Sequence, residues 1–368
     1  MRIIHIASAM SWRGGEQQII YLAKYQLLNG SEPFILCSTG SVLEQQCKVF
    51  NIPHATSRKP SGFAISFART LHKITTKTQP DLIHIHDSHA HSAALTACRL
   101  FGLKRPLILS RRIDSPIRKS IYSQKKYNSN YINRIACVSH AIKAVIEPTI
   151  TDHSKICVVH SGVDLSRFDK CTRSNKLHQE FNLDSTIKLV GNTSALADHK
   201  DYNTFLNVAV ETLKKRDDIA FIIIGEGKDR TMIENRIKTE GIANKVFLTG
   251  YRIDIPEILP ELDVFLMPSK TEGLGTSLLD ALACKVPVVA TLAGGIPEII
   301  IHQQNGLLSD VADFKSLSQQ VISLVDDSTR RAQMIANGTH KIEEFTATKM
   351  AENTLKTAYE PALAATKM

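Results

Sequence analysis

The segment 264–290 combines two carboxylates with a glycine turn, a pattern that could bind a phosphorylated sugar. Glu272 follows an apolar run, Gly273-Leu274-Gly275 comes next, and Asp280 lies eight residues after Glu272. A second apolar run, 286–290, closes the segment, which predicts the order strand, turn, helix, strand. The turn would direct backbone N–H groups at a phosphate. The carboxylates would repel a phosphate but could bind hydroxyls, and a nucleotide sugar carries both groups.

Two further groups of polar residues lie in the first half of the chain, each after a predicted strand. Gly14-Gly15 opens a helical pattern over 16–28, where two glycines allow a ligand to approach the backbone closely. Paired arginines in the sequence Arg111-Arg112-Ile113-Asp114 follow the run 106–109 and could bind phosphates or carboxylates bidentately. The carboxyl ends of parallel strands line the ligand crevice of open α/β sheets, so we expect both groups near a ligand.

Four histidines occur within eight residues at the end of the predicted strand 81–86. They are His84, His86, His89 and His91. His84 and His86 alternate and therefore share one strand face. A metal site is an alternative interpretation, but neither the HExxH spacing nor a cysteine ligand supports it. We expect His84 to be partly buried and structural, and His86 to face a ligand, with His89 as the second candidate.

The order of the apolar runs predicts the architecture that positions these residues. Short apolar runs alternate with helical patterns, first over residues 2–159 and again over 187–290. This alternation predicts an α/β protein with parallel sheets and helices on both faces. A chain of 368 residues is long enough for two domains. The polar, weakly periodic segment 162–182 is the predicted linker.

Composition excludes several classes of protein. The chain is 43% hydrophobic and 22% charged, as is usual for a globular protein, and it contains no run of 18 apolar residues that could span a membrane. The seven cysteines are scattered without Cys-x-x-Cys spacing, which favours a reduced, cytoplasmic protein without a zinc site. The net charge of +9 is concentrated in the basic stretch 104–126. This stretch lacks a nucleic-acid motif, so it either binds an anionic membrane or a phosphorylated substrate or is a solvated helix face.

The segment 268–298 resembles the signature of the retaining family 4 glycosyltransferases, which have the two-domain GT-B fold. Pro268-Ser269, Glu272 and the sequence Gly294-Gly295-Ile296-Pro297-Glu298 match that signature. The resemblance implies two Rossmann-like domains that face each other across a deep cleft, with a last helix that crosses back to the first domain. We expect an acceptor-binding domain over 1–168, joined by the final helix 348–368, and a nucleotide-sugar-binding domain over 175–345.

The resemblance also implies roles for individual residues. Lys200 matches a lysine that clamps the donor phosphates, and the glycine pair of residues 14 and 15 matches one that faces the donor diphosphate. Catalytic roles are expected for His86, Lys200 and Glu272. Donor-binding roles are expected for Gly14, Gly15, Gly250, Tyr251, Gly273, Leu274, Gly275, Thr276 and Asp280. Acceptor-binding roles are expected for Arg111, Arg112 and Asp114.

Two positions depart from the family pattern. The phosphate-binding arginine expected five residues before Lys200 is Ala195, so Lys200 would neutralise the leaving diphosphate with a single cation unless Arg13 or His199 helps. The second carboxylate of the signature is Asp280 instead of a glutamate, one methylene shorter. A subset of the family tolerates the change at the arginine position, so it does not predict an inactive protein.

We therefore expect a retaining hexosyltransferase that uses a UDP- or GDP-linked sugar as substrate and needs no cofactor. The chain contains no Asp-x-Asp sequence, which predicts that no metal ion is required. The acceptor would be a glycan or a lipid-linked glycan of polysaccharide or lipopolysaccharide synthesis, and the protein would be cytoplasmic and peripheral on the inner membrane face. The alternatives are a sugar-nucleotide epimerase of the same fold and a non-catalytic sugar-nucleotide-binding protein. A dinucleotide site is excluded because Gly225-Glu226-Gly227 lacks the third glycine of that motif.

Overall fold

A computed structural model of the protein describes residues 1–59, 64–169 and 172–365 and divides them into two compact units. Unit 1 contains residues 1–162 together with the chain from Thr346 onwards, and unit 2 contains residues 163–345. The division starts where the predicted linker starts, but residues 163–168, which we expected in the first domain, are part of unit 2. Lys170 and Cys171 of the predicted linker lie outside the described residues.

Unit 1 is built on a parallel sheet, here called sheet 1, with the strand order β3-β2-β1-β4-β5-β6-β7. Its described strands are β1 Arg2–Ile6, β2 Glu32–Ser38, β3 His54–Ser57, β4 Leu82–Ile85, β5 Leu107–Arg111, β6 Ile132–Cys137 and β7 Ile156–Val158. The connecting helices are α1 Gly14–Leu28, α2 Val42–Val49, α3 Ile65–Thr78, α4 Ser88–Phe101, α5 Ile121–Tyr127 and α6 His140–Ile146.

Unit 2 repeats this architecture with sheet 2, in the strand order β10-β9-β8-β11-β12-β13. Its described strands are β8 Lys188–Thr193, β9 Ile219–Ile224, β10 Val246–Gly250, β11 Val264–Met267, β12 Val288–Thr291 and β13 Leu307–Ser309. Its helices are α7 Lys176–Glu180, α8 Tyr202–Leu213, α9 Arg230–Thr239, α10 Ile255–Ile258, α11 Thr276–Ala283, α12 Ile296–Ile299, α13 Phe314–Asp326 and α14 Ser328–Lys341.

The central strands of both sheets are apolar along their whole length because helices cover both faces. All six residues of β9 and all four of β11 are buried. The phenylalanines of β9 and α8, Phe221 and Phe205, pack edge to face in the core of unit 2. The predicted two-unit α/β fold with parallel sheets is therefore confirmed.

The last helical segment of the chain packs in unit 1, as predicted. It consists of α15 Ala347–Asn353, a π-helical turn Thr354–Tyr359 and α16 Glu360–Ala364. Tyr359 is 1% exposed and belongs to the same apolar cluster as Ile3 of β1 and Leu82 of β4. A π-helical turn inside a helix frequently marks a functional position.

Two properties of the described residues complete the fold. The cysteines at positions 37, 47, 98, 137, 157 and 284 are free thiols, and the seventh, Cys171, lies outside the described part. None of the helices among the described residues is both long and apolar enough to cross a membrane.

Candidate functional site

Each sheet has one switch point, the place where the strand order changes direction. In sheet 1 it lies between β1 and β4, and in sheet 2 between β8 and β11. Ligands of open α/β sheets bind beside the carboxyl ends of the strands at such points. In both units, side chains join the two loops that leave the switch point.

At the switch point of unit 2, Lys200 and Glu272 form a buried ion pair. Lys200 ends a 3-10 turn after β8, and its ammonium group contacts Glu272 Oε1 after β11. The side chains are only 15% and 7% exposed. Ser269 Oγ donates a further hydrogen bond of 2.9 Å to the same carboxylate oxygen. Two residues with predicted catalytic roles are thus in direct contact, and each compensates the charge of the other.

A glycine pair holds the backbone of Glu272 in place. Gly294 has φ of +52°, and a Cβ atom there would lie 2.0 Å from the carbonyl oxygen of Glu272. The amide of Gly295 donates a hydrogen bond of 3.1 Å to that same oxygen. A side chain at position 294 would therefore have to displace the loop that carries Glu272.

The glycine turn 273–275 leads directly into α11. Gly275 is the residue before the helix and has φ of +89°, a conformation that other residues rarely adopt. Its position leaves the first amide groups of α11 without helical partners, as in any helix N-terminus. Asp280 lies farther along α11 and is partly buried. Burial raises the pKa of Asp280 to about 6, against the opposing effect of the positive charge on Arg167.

The other donor-binding candidates of unit 2 lie around the β8 loop. Gly225 has φ of +147°, and a Cβ atom there would lie 1.9 Å from the carbonyl oxygen of Ser194, beside Ala195. The amide of Gly225 donates to the carbonyl oxygen of Gly250 at 3.0 Å. These close approaches align the β8, β9 and β10 loops at one edge of sheet 2. Tyr251 follows Gly250 and is 62% exposed.

At the switch point of unit 1, Asp87 joins the β4 end to the β1 end. Its carboxylate accepts hydrogen bonds from the amide and the hydroxyl of Ser8. It also caps α4 by accepting from the amides of His89 and Ala90. The four bonds satisfy this carboxylate completely within unit 1.

Arg112, the residue directly after β5, starts a chain of buried hydrogen bonds. Its Nη1 lies 3.2 Å from His86 Nδ1, His86 Nε2 lies 3.0 Å from His5 Nδ1, and His5 Nε2 lies 2.8 Å from Gln26 Oε1. Burial lowers the pKa of His5 to about 4 and that of His86 well below its usual value, so both rings are neutral at pH 7. Arginine can only donate, so His86 accepts from Arg112, donates to His5, and His5 donates to Gln26.

The chain continues to the final helical segment. Gln26 Nε2 lies 3.4 Å from the hydroxyl of Tyr359, which lies 2.7 Å from His84 Nδ1. His84 Nε2 in turn lies 2.8 Å from Ser110 Oγ. Tyr359 therefore accepts from Gln26 and also contacts His84, which in turn contacts Ser110. We call this series the histidine chain: Arg112, His86, His5, Gln26, Tyr359, His84 and Ser110.

His86 is more enclosed than a ligand-facing residue need be, and its predicted role stays a prediction. Its side chain is 8% exposed, and both ring nitrogens are engaged by His5 and Arg112. The side chain of a strand-end residue can point either into the domain or towards solvent. The His86 ring points into unit 1, where it contacts the His5 ring on β1. His89, the second candidate, is exposed in the first turn of α4. His84, expected to be partly buried, is only 2% exposed.

The four histidines of residues 84–91 do not form one cluster. His91 packs edge to face against Tyr127, and both of its ring nitrogens are buried without a partner among the described residues. His5, His84 and His86 do offer nitrogens within 4.8 Å of one another. A metal-bound histidine donates its second N–H to an acceptor, whereas His86 faces the donor Arg112. The hydrogen bonds therefore argue against a metal at these histidines.

The acceptor-binding candidates lie in three different environments. Arg111 is 7% exposed, and it donates to the hydroxyl of Tyr127 at 3.0 Å and to the carbonyl oxygen of Ser115. Arg112 passes beside α1, with its Cδ 3.7 Å from the place where a Cβ of Gly15 would lie. Asp114 is partly buried. Arg111 thus ties the β5–α5 loop together, while Arg112 lies at the switch point.

Sequence reasoning missed three members of the histidine chain: His5, Gln26 and Tyr359. His5 carried a usable signal, because a histidine inside the apolar strand β1 must have a buried partner. Gln26 and Tyr359 carried none, since Tyr359 contacts Gln26 and His84 across 333 and 275 positions of the chain.

Comparisons with known proteins agree with this geometry. The sequence model for "Glycosyl transferases group 1" matches residues 173–341, and that for "Glycosyltransferase Family 4" matches residues 12–167. The chain belongs to these glycosyltransferase families. The two matches correspond to unit 2 and unit 1, so the family assignment made from the signature is confirmed.

Individual members of these families resemble the chain to different extents. A GDP-mannose-dependent monoacylated alpha-(1-6)-phosphatidylinositol monomannoside mannosyltransferase of Corynebacterium glutamicum is 32% identical over 193 residues, 50% of each chain. The lipopolysaccharide core biosynthesis mannosyltransferase LpsB of Rhizobium meliloti is 26% identical over 210 residues, 55% of this chain and 60% of LpsB. The matched region thus spans only about half of these relatives.

The fold of this family member matches a solved structure over nearly its whole length. The Anabaena protein HepE, crystallised with UDP and glucose, superposes with a TM-score of 0.84 at 19% identity and covers 96% of this chain and 98% of its own. This likeness shows the fold and confirms the GT-B assignment.

We predict that Gly294→Ala will displace the Glu272 loop. Gly241→Ala is a matched control, because Gly241 has φ of +68° and no atom within 4 Å of its Cβ position. The control should lose about 1 kcal/mol of unfolding free energy from backbone strain alone. Gly294→Ala should lose about 3 kcal/mol or more, because the loop must also move. Equal losses in denaturant unfolding would show that Gly294 does not hold Glu272.

Proposed function

We propose that the protein transfers a sugar from a nucleotide-diphosphate sugar to a glycan or lipid-linked acceptor, with retention of the anomeric configuration and without a metal ion. One observation carries the proposal: the Lys200–Glu272 ion pair lies at the switch point of sheet 2, beside the glycine turn that begins α11. The proposed site thus combines a cation, the backbone amides at the start of α11 and a carboxylate at one edge of the sheet, for binding phosphates and sugar hydroxyls.

In the proposed reaction, unit 2 stabilises the leaving nucleotide. The ammonium of Lys200 and the amides of residues 273–276 would face the diphosphate as its bond to the sugar breaks. Preorganised donors of this kind stabilise charge that develops in the transition state. The negative charge that forms on the leaving oxygen would thus be neutralised without a bound metal.

Glu272 would hold hydroxyls of the donor sugar. Its carboxylate is already fixed by Ser269 and Lys200, so its orientation is set before the substrate arrives. Neither of these contacts prevents the second carboxylate oxygen from accepting a hydroxyl. We place no carboxylate as a nucleophile, and front-face attack by the acceptor, assisted by the leaving phosphate, fits retention of configuration.

Asp280 would bind the ribose hydroxyls of the nucleotide. Because its pKa is raised to about 6, Asp280 is a carboxylate at neutral pH and becomes a carboxylic acid in mildly acidic solution. The carboxylate accepts from two hydroxyls, whereas the acid form accepts fewer hydrogen bonds. Gly250 and Tyr251 would lie beside the nucleobase.

The names of the relatives agree with this chemistry. The two relatives described above are mannosyltransferases of phosphatidylinositol mannoside and lipopolysaccharide core synthesis, and HepE was crystallised with UDP and glucose. We extend to this chain the use of a UDP- or GDP-linked hexose as substrate and a cell-surface glycan or glycolipid as acceptor.

A donor screen followed by a transfer assay tests the proposal. UDP- and GDP-linked hexoses should raise the melting temperature, and the stabilising donor should release its nucleotide when a cell-envelope glycolipid extract is added, also in EDTA. Glu272→Gln should lower this release about 100-fold or more because transition-state contacts are lost. The surface variant Glu240→Gln is the control.

Three outcomes would contradict it. Conversion of the donor sugar to its epimer without transfer would identify an epimerase. Stabilisation by a donor without turnover would identify a binding protein. Inversion at the anomeric carbon of the product, observed by NMR, would exclude a retaining mechanism.

We also propose that unit 1 docks on an anionic membrane through the segment 113–125. The segment exposes Ile113 by 52%, Ile121 by 73% and Tyr122 by 63%, beside the exposed cations Arg118 and Lys119. Exposed apolar side chains flanked by cations are typical of peripheral membrane surfaces. The sequence had predicted an electrostatic contact alone, and the exposed apolar side chains would add an anchor to it. A lipid-linked acceptor would be reached from the inner, cytoplasmic face.

Vesicle co-sedimentation tests the docking surface. The protein should bind anionic vesicles more strongly at low than at high salt. Each cation near the membrane surface should contribute about 1 kcal/mol of binding free energy. Ile121→Ser combined with Tyr122→Ser should weaken binding, whereas Leu28→Ser, a change at an 84% exposed leucine on α1, should not. Binding unaffected by both salt and the double substitution would exclude this segment as the docking surface.

A further inference from the structure

Asp201, the residue directly after Lys200, has a strained backbone conformation. Its φ is +51°, in the left-handed region that residues other than glycine rarely adopt. Asp201 is also 5% exposed, whereas the other described non-glycine residues with positive φ are exposed, apart from Ala64 in unit 1. Strain of this kind persists only where the surrounding structure holds it, and it is frequent at functional sites.

Hydrogen bonds of the Asp201 carboxylate hold this conformation. Oδ1 accepts from the amide of Thr204 at 3.2 Å and Oδ2 accepts from its hydroxyl at 2.8 Å, so that Asp201 is the N-cap of α8. The first turn of α8 is anchored in the core of unit 2, where Tyr202 is 3% exposed and Phe205 is fully buried. The start of α8 is therefore a fixed point immediately after Lys200.

A second fixed point lies immediately before Lys200. The amide of Lys270, in the loop after β11, donates to the carbonyl oxygen of His199 at 2.9 Å. The ammonium group of Lys270 donates to Asp198 Oδ1 at 2.8 Å. The 3-10 turn that ends at Lys200 is therefore fastened to the same loop that carries Glu272.

Between these two points, the backbone of Asp201 sets the direction in which the Lys200 side chain leaves the β8 loop. A right-handed or extended conformation at position 201 would rotate the 3-10 turn relative to α8, and the ammonium group of Lys200 would move away from Glu272. We propose that Asp201 is a positioning residue, whose left-handed conformation holds Lys200 at the switch point of unit 2. Only the binding of a nucleotide by Lys200 rests on the proposed function, because the placement of its side chain can be measured without a substrate.

Substitutions of Asp201 separate its conformation from its hydrogen bonds and its charge. Asp201→Gly adopts the left-handed conformation freely but has no cap. Asp201→Thr has a hydroxyl that caps a helix, but its branched Cβ disfavours the left-handed conformation. Asp201→Asn keeps both properties and removes only the charge.

Chemical labelling of lysines measures the placement of Lys200. The intact protein is treated with limiting acetic anhydride, and the modified lysines are quantified by mass spectrometry. Lys200 should react slowly in the wild type, because its side chain is 15% exposed and paired with Glu272. Lys214, whose side chain is 65% exposed, is the reactive reference, and Lys126, which is 7% exposed in unit 1, reports global unfolding.

The variants should differ in the labelling of Lys200 alone. In Asp201→Thr, Lys200 should react several-fold faster than in the wild type, while Lys126 stays protected. In Asp201→Gly and Asp201→Asn, Lys200 should stay protected, although Asp201→Gly loses stability with its cap. If Asp201→Thr does not fold, Asp201→Ala, which also disfavours the left-handed conformation, takes its place in the comparison.

Three labelling results would overturn the proposal. Protection of Lys200 in Asp201→Thr would show that the left-handed conformation does not place it. Equal exposure of Lys200 in Asp201→Gly and Asp201→Thr would assign the effect to the lost conformation and the lost cap alike, as expected of a purely structural residue. Exposure of Lys200 in Asp201→Asn would assign the effect to the charge.

Calorimetry with UDP and GDP separates this inference from the proposed function. Asp201→Thr should weaken binding of the preferred nucleotide on the order of 10-fold, because a charged hydrogen bond to phosphate is misaligned, and Asp201→Gly should keep the wild-type affinity. If Lys200→Ala loses affinity but Asp201→Thr keeps it, the positioning role is overturned and the proposed function stands. If Lys200→Ala keeps the wild-type affinity, the proposed role of Lys200 fails, and the labelling result alone decides whether Asp201 positions it.

Discussion

The buried ion pair between Lys200 and Glu272 is the interaction on which the site in unit 2 depends. It joins the two loops that leave sheet 2 at its switch point. Gly294 packs against the backbone of the loop that carries Glu272, and the Gly295 amide donates a hydrogen bond to it. Removing either partner would leave an uncompensated buried charge, which costs far more than the pair contributes. The pair therefore compensates both charges in the absence of a ligand, and in the proposed reaction an arriving phosphate would replace the carboxylate as the partner of Lys200.

Unit 1 has no ion pair of this kind among the described residues at its switch point. Its switch point is filled by neutral histidines whose hydrogen bonds all run in one direction from Arg112. The series begins at Arg112, whose Nε, like that of Arg111, is buried without a hydrogen-bond partner among the described residues. Tyr359 extends the chain to the π-helical turn, which explains why the final segment of the sequence belongs to unit 1.

The sequence predicted the fold and the Glu272 region well because both depend on local patterns. Apolar runs and glycine turns are continuous in the chain, so the two parallel sheets and the turn at 273–275 could be recognised directly. The orientation of the His86 ring could not be predicted, because the ring contacts His5 and Arg112, which lie 81 and 26 residues away in the chain. The pairing of Lys200 with Glu272, 72 residues apart, was equally inaccessible, and it changes the expected role of Lys200 from a free cation to a shared one.

The affinity of Glu272→Gln for UDP and GDP, measured by calorimetry beside Lys200→Ala, tests this account most directly. Lys200→Ala should weaken binding of the nucleotide that the protein prefers by about 1.5–3 kcal/mol, because a charged hydrogen bond to phosphate is lost. Glu272→Gln should leave that affinity unchanged or increase it, because Lys200 can then bind the phosphate without first breaking an ion pair. A loss in Glu272→Gln as large as that in Lys200→Ala would contradict the exchange of partners at Lys200.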